Sequence, residues 1–169
     1  IAGPTLLRNS HHYGNALLTR AKILAVRRFG LAHAGREPRG ALDVDLKMGD
    51  LEFQVVATHL GLRPWERRHQ IRRLLKMFRR GELRPTALLG DMNEWLPWGR
   101  PLRWLHNYFG KQPAPATFPA RFPLVALDRV WVHPSTALNS IDAPQLIFSR
   151  IASDHLPLRA VVDWPTPSE

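Results

Sequence analysis

Four polar sites stand at the ends of apolar segments or inside them. LLGDMN (88–93) closes on Asp91 and Asn93, and QVVATH (54–59) ends in His59. Asp128 interrupts ALDRVWV (126–132), and Asp154 and His155 precede LPLRAVV. Together these types suit hydrolysis of a phosphodiester. That reaction needs an oriented water, stabilisation of charge on the phosphoryl oxygens and a path for the leaving oxygen. Asp91 could orient or deprotonate the water, and the Asn93 amide could hold that water or a phosphoryl oxygen. Asp154 is a second carboxylate able to hold a hard divalent cation, which prefers oxygen ligands. A His155–Asp128 pair would fix the imidazole tautomer and favour its charged form against phosphate. His59 could protonate the leaving oxygen. Taken singly, each site has a plainer reading. Asp-X-Asn after a strand also makes an Asx-turn or a helix cap, and a histidine near a strand end is often a hydrogen-bonded structural residue. Asp128 is the hardest to explain that way, because a carboxylate in an apolar strand needs a partner.

These residues need elements to position them, and the clearest is a hairpin. Leu42, Val44 and Leu46 alternate with Asp43, Asp45 and Lys47; after the turn at 48–50, Leu51, Phe53, Val55 and Ala57 alternate in the same way. Pro64 can open a helix at no cost in hydrogen bonding. Ile71, Leu74, Leu75 and Phe78 give that helix one apolar stripe among arginines, and Gly81 ends it. TALLG (86–90) reads as a short buried strand and 99–109 as a second helix. NALLT, KILAV, ALDRVWV, QLIFS and LRAVVDW read as further strands, and 28–40 as a Gly- and Pro-punctuated loop. Strands mixed with two helices and a hairpin predict a mixed-sheet α/β domain.

Composition narrows the class. The 169 residues are 44% hydrophobic, enough for one domain with a real core and too apolar for a disordered chain. No apolar run approaches a bilayer span, and no signal segment opens the chain, so a cytoplasmic location is expected. There is no cysteine, which excludes disulfides and thiolate metal sites. The balance of 24 basic to 14 acidic residues, net +10, predicts attraction to polyanions. An arginine-rich, high-GC bacterial proteome would give the same balance.

HYGNALLTR, ATHLGL, LLGDMN, ALDRVWV and ASDHLPL occur in an order that resembles the endonuclease/exonuclease/phosphatase superfamily, the deoxyribonuclease I-like, Mg-dependent phosphohydrolases. The likeness runs from about residue 13 to the end, as one domain over 1–169. It implies a four-layer fold, with two mixed β-sheets face to face and helices outside. It also implies roles. Asp91 resembles the water-orienting carboxylate and Asn93 its partner at the phosphate. His155 resembles the imidazole at the scissile phosphate, oriented by Asp128. Asp154, with Asp91, resembles the metal side, for Mg²⁺ or Mn²⁺. His59 resembles a histidine of several members. Arg67 and Gln70 match an Glu-Arg-x-x-Gln pattern that places Arg67 beside the substrate. The implied substrate is a phosphoester: nucleic acid, a phospholipid or sphingolipid headgroup, or a small phosphodiester.

The pattern departs from the family at its start. The Gln-Glu pair whose Glu is the main Mg²⁺ ligand is absent from these residues. The first strands are therefore expected to be missing, leaving unpaired strand edges that invite self-association. The alternative function is a non-catalytic, polyanion-binding remnant of the fold. Trp95, Trp98 and Trp104 could form an apolar or base-stacking lip, or a packed cap.

Overall fold

The computed structural model describes residues 1–8, 11–32, 35–78, 84–146 and 148–165. The hairpin forms as the alternation requires. β4 (Gly40–Met48) and β5 (Leu51–His59) pair antiparallel from Ala41↔Thr58 to Met48↔Leu51. The turn between them places Gly49 at φ 61, where glycine has no Cβ penalty. β3 (Lys22–Gly30) joins the free side of β4. The chain then crosses through α1 (Pro64–Phe78) to β6 (Thr86–Asp91), parallel to β5, and later adds β7 (Asp128–His133) antiparallel to β6. The result is a five-stranded mixed sheet in the order β3-β4-β5-β6-β7.

Each face of this sheet has its own core. On one, Ile71, Leu74 and Phe78 of α1 and Leu102, Leu105 and Phe109 of α2 (Arg100–Phe109) pack on Val56, Leu88 and Trp131. On the other, Leu42, Val44, Leu46, Phe53 and Val55 are covered by Ile1, Leu17 and Trp164. Two antiparallel ribbons complete the chain, β1 (Ala2–Arg8) with β2 (His11–Ala16) and β8 (Leu138–Asp142) with β9 (Arg159–Val162). β1 and β2 lie against β4. The expected α/β architecture of sheets with outer helices is present. Its second sheet consists, among the described residues, of these two separate ribbons.

Several local expectations change. QLIFS is no strand: its described residues are irregular and lead into the short α3 (Ser149–Ala152). The strand lies earlier, in the polar LNSID of β8, which no alternation marks. β3 extends to Gly30, into the expected loop, because its neighbour β4 starts opposite, at Gly40. β2 ends at Ala16, so NALLT is mostly outside it. The helix stop at Gly81 lies outside the described residues. Asp43 and Asp45, the polar half of the alternation in β4, are buried. Arg27 of β3 donates from Nε to Asp43 (2.9 Å) and from Nη2 to Asp45 (2.6 Å), Arg84 also pairs with Asp45, and Gln54 donates to Asp43 (2.7 Å). Among the described residues, no helix is long and apolar enough to cross a membrane.

Candidate active site

The register of three strands builds one row of polar side chains. β5 and β6 run parallel and end at His59 and Asp91, which are register partners; β7 begins beside them at Asp128, the partner of Asp91. His59 Nε2 lies 3.3 Å from Asp91 Oδ2. The close approach of β6 to β5 depends on Gly90. It has φ 139, and a Cβ there would stand 1.7 Å from the Thr58 carbonyl oxygen, so no other residue fits.

Beyond Asp91 the chain makes the turn that the plain reading allowed. Asp91 Oδ1 accepts the Asn93 N–H at 2.8 Å, and Asn93 takes the left-handed conformation at φ 49, which asparagine tolerates. The Asn93 side chain is buried and donates from Nδ2 to the Leu60 carbonyl at 2.9 Å. This bond ties the end of β6 to the loop after His59.

His155 arrives from the other end of the chain. Its Nδ1 lies 2.7 Å from Asp128 Oδ2. The segment that carries it is fixed by Leu156 N–H donating to the Thr117 carbonyl (2.8 Å) and Ala120 N–H to the Asp154 carbonyl (2.7 Å). Phe118 sets its ring 4.9 Å from that of His155, and Trp95 sets its ring edge-on to Phe118 at 5.6 Å. Ligand atoms of Asp91, Asp128 and His155 all lie within 4.8 Å of one another. The two carboxylates of this group are oxygen donors of the kind a hard divalent cation takes.

The surroundings push the two histidines apart. Burial alone would lower the His155 pKa, but the hydrogen bond and charge of Asp128, with Asp91 and Asp154 behind it, raise it above the usual 6.5. For His59, burial and the nearby Arg39 guanidinium outweigh Asp91, Glu37 and Asp128, and its pKa falls. The two shifts run in opposite directions, toward the charged ring for His155 and toward the neutral ring for His59.

Two further expectations are corrected. Asp154 is exposed, and its carboxylate is outside the Asp91–Asp128–His155 cluster, whose second carboxylate is that of Asp128. Arg67 does not face substrate. It is 3% exposed, and its Nε and Nη2 donate to Glu94 at 3.1 and 3.3 Å while Nη1 donates to the Leu62 carbonyl at 2.6 Å. Glu94, overlooked in the sequence, is the buried partner directly after Asn93. Beside this pair, Gln70 accepts the Gly61 N–H at 2.8 Å, and a Cβ on Gly61 would meet the Glu66 carboxyl at 2.0 Å. The Glu-Arg-x-x-Gln pattern is thus a buried clamp on the loops after His59 and Asn93. The spacing i, i+1, i+4 beside a Gly-containing loop was its signal. Trp104 is partly buried against the core under Arg72, as a packed cap would be, whereas Trp95 and Trp98 are exposed.

With this fold and site, the chain belongs to the endonuclease/exonuclease/phosphatase family, whose sequence model matches residues 3–155. It is 32% identical over 163 residues to the uncharacterized protein YbhP of Escherichia coli K12, covering 89% of this chain and 63% of that protein's length. Among solved structures, it resembles a conserved protein of unknown function from Enterococcus faecalis V583 (TM-score 0.70, 20% identity, 84% of this chain and 66% of that one). It also resembles the mannosyl-6-phosphatase Bt3783 of Bacteroides thetaiotaomicron (TM-score 0.69, 17% identity, 85% and 67%).

Proposed function

We propose that this chain carries the catalytic centre of a divalent-metal-dependent phosphoester hydrolase, acting on phosphodiesters. The observation that carries this reading is the convergence of Asp91, Asp128 and His155, from three separate parts of the chain, within 4.8 Å. The family's membership in hydrolases, and a phosphatase among the solved relatives, support it. Asp91, between His59 and Asp128 in the strand register, orients a water and takes its proton as the new P–O bond forms. His155, with Nδ1–H held by Asp128, presents Nε2 to the phosphoryl group. In its charged form it stabilises the developing negative charge and supplies the proton to the leaving oxygen as the old P–O bond breaks. His59, 3.3 Å away on the neighbouring strand, steadies Asp91, and Asn93 holds the turn in shape. Asp91 and Asp128 would hold Mg²⁺ or Mn²⁺, which would neutralise charge on the phosphate.

The test is turnover of a chromogenic diester with and without EDTA. Metal-dependent turnover that is lost in Asp91→Ala supports the reading; metal-independent turnover overturns it. The second reading, a non-catalytic polyanion binder, is favoured by the internal use of Arg67 and Asn93. It would be upheld by tight, salt-sensitive binding of nucleic acid with no hydrolysis of any ester.

A further inference from the structure

The loops that surround the site end in apolar side chains. Leu62 follows β5, Trp95 and Trp98 follow Asn93, Phe122 sits at the turn ahead of Asp128, and Ile151 lies on α3 just before Asp154. Trp98 and Phe122 are each 69% exposed and Ile151 79%. Exposed apolar residues scattered singly need no explanation. These are not scattered, because their loops touch. The Trp95 ring meets Phe118, and the Phe118 ring meets His155. The Ala120 N–H is bonded to Asp154, and Arg67 joins the Leu62 carbonyl to Glu94, the residue before Trp95. The loops that carry them are thus joined to one another beside one site, and apolar side chains gathered around a site mark an interaction surface.

Charge identifies what that surface meets. An exposed arginine accompanies each part of the rim: Arg63 follows Leu62, Arg100 stands two residues after Trp98, Arg121 precedes Phe122, and Arg150 precedes Ile151. The chain as a whole carries +10. Aromatic and aliphatic side chains alternating with arginines match the boundary of an anionic bilayer, where rings sit among headgroups and cations meet lipid phosphates. We propose that this rim docks the protein reversibly on an anionic lipid surface, with the site facing the headgroups.

The experiment is co-sedimentation of the chain with vesicles of phosphatidylcholine alone, or with roughly one third phosphatidylglycerol, at low salt and at about 1 M salt. Binding is expected only to the anionic vesicles and should weaken with salt. The triple variant Trp98→Ser, Phe122→Ser, Ile151→Ser should lower the partition coefficient by about tenfold or more, with circular dichroism and thermal unfolding unchanged. Brominated acyl chains should quench tryptophan fluorescence in the native protein, and much less in the triple variant. Failure to bind anionic vesicles at low salt would overturn the proposal. So would equal binding by the triple variant, which would leave charge alone as the cause. Self-association removed by the same substitutions, without vesicle binding, would assign the rim to a second copy of the chain and also overturn it.

Discussion

His155 Nδ1 and Asp128 Oδ2 lie 2.7 Å apart across 27 residues of sequence. The bond does two separable things: it fixes which ring nitrogen faces the site, and it raises the His155 pKa. Asp128→Asn keeps an acceptor for Nδ1–H and removes the charge. The imidazolium is then lost at lower pH, because a raised base stays protonated up to its folded pKa and the substitution brings that value down. The alkaline limb of the kcat–pH profile should move to lower pH, and activity at neutral pH should fall on the order of a hundredfold. An unmoved alkaline limb in Asp128→Asn would show that another group sets it.

The cation site makes a second expectation. Asp91 and Asp128 converge, while Asp154 is exposed outside the cluster. Asp91→Ala should abolish metal-dependent turnover by on the order of a hundredfold or more. Asp154→Asn should leave the apparent Mg²⁺ affinity within about twofold, as expected when an exposed charge is removed. A Mg²⁺ titration of activity decides between them. A large loss of affinity in Asp154→Asn would return that residue to the ligand set.

Arg67 and Glu94 are both buried, so removing one leaves the other's charge buried without its hydrogen-bonded counter-ion. Arg67→Met alone should cost about 3–5 kcal/mol, whereas Arg67→Met with Glu94→Leu should cost much less, since a buried pair replaced by apolar residues is often near neutral. Urea unfolding of the two singles and the double measures the coupling. Additive losses would mean that the pair is not the clamp described above.

Much of this was legible because chemistry and periodicity agreed. Asp128 was marked by its apolar neighbours and did find a histidine; the alternation of 42–57 gave the hairpin that ends in His59. Other features were hidden for physical reasons. The alternation does not show that Asp43 and Asp45 are buried, because Arg27, Arg84 and Gln54, which make that burial tolerable, come from other strands and loops. Arg67 looked like a phosphate ligand because sequence gives its charge and not its partner, Glu94, which lies 27 residues away. β8 has too few apolar residues to show a period, while QLIFS has a strand's composition and, among the described residues, no strand paired with it. The register that places His59, Asp91 and Asp128 in one row is set by pairing between strands, which no single segment records.

His106 offers a test away from the site. Among the described residues, its buried Nε2 has no hydrogen-bond partner, and its ring packs against that of Trp131. Burial, followed by the charges of Arg129 and Lys111, lowers its pKa. The sign follows from proton counts. Between the depressed folded pKa and the unfolded value near 6.5, the unfolded chain binds more protons, so stability falls as pH falls through that window. His155 contributes in the opposite sense, but it is present in both proteins and cancels in a comparison. His106→Leu removes the unpaired nitrogen and its titration. At pH 7.5 it should be neutral or stabilising by up to about 1 kcal/mol. At pH 5 its advantage over the parent should be larger, because only the parent must pay the mismatch in proton binding. Thermal unfolding of both proteins across this range measures the difference directly. An advantage that shrinks toward pH 5 would mean that His106 is protonated in the folded protein and has found a partner there.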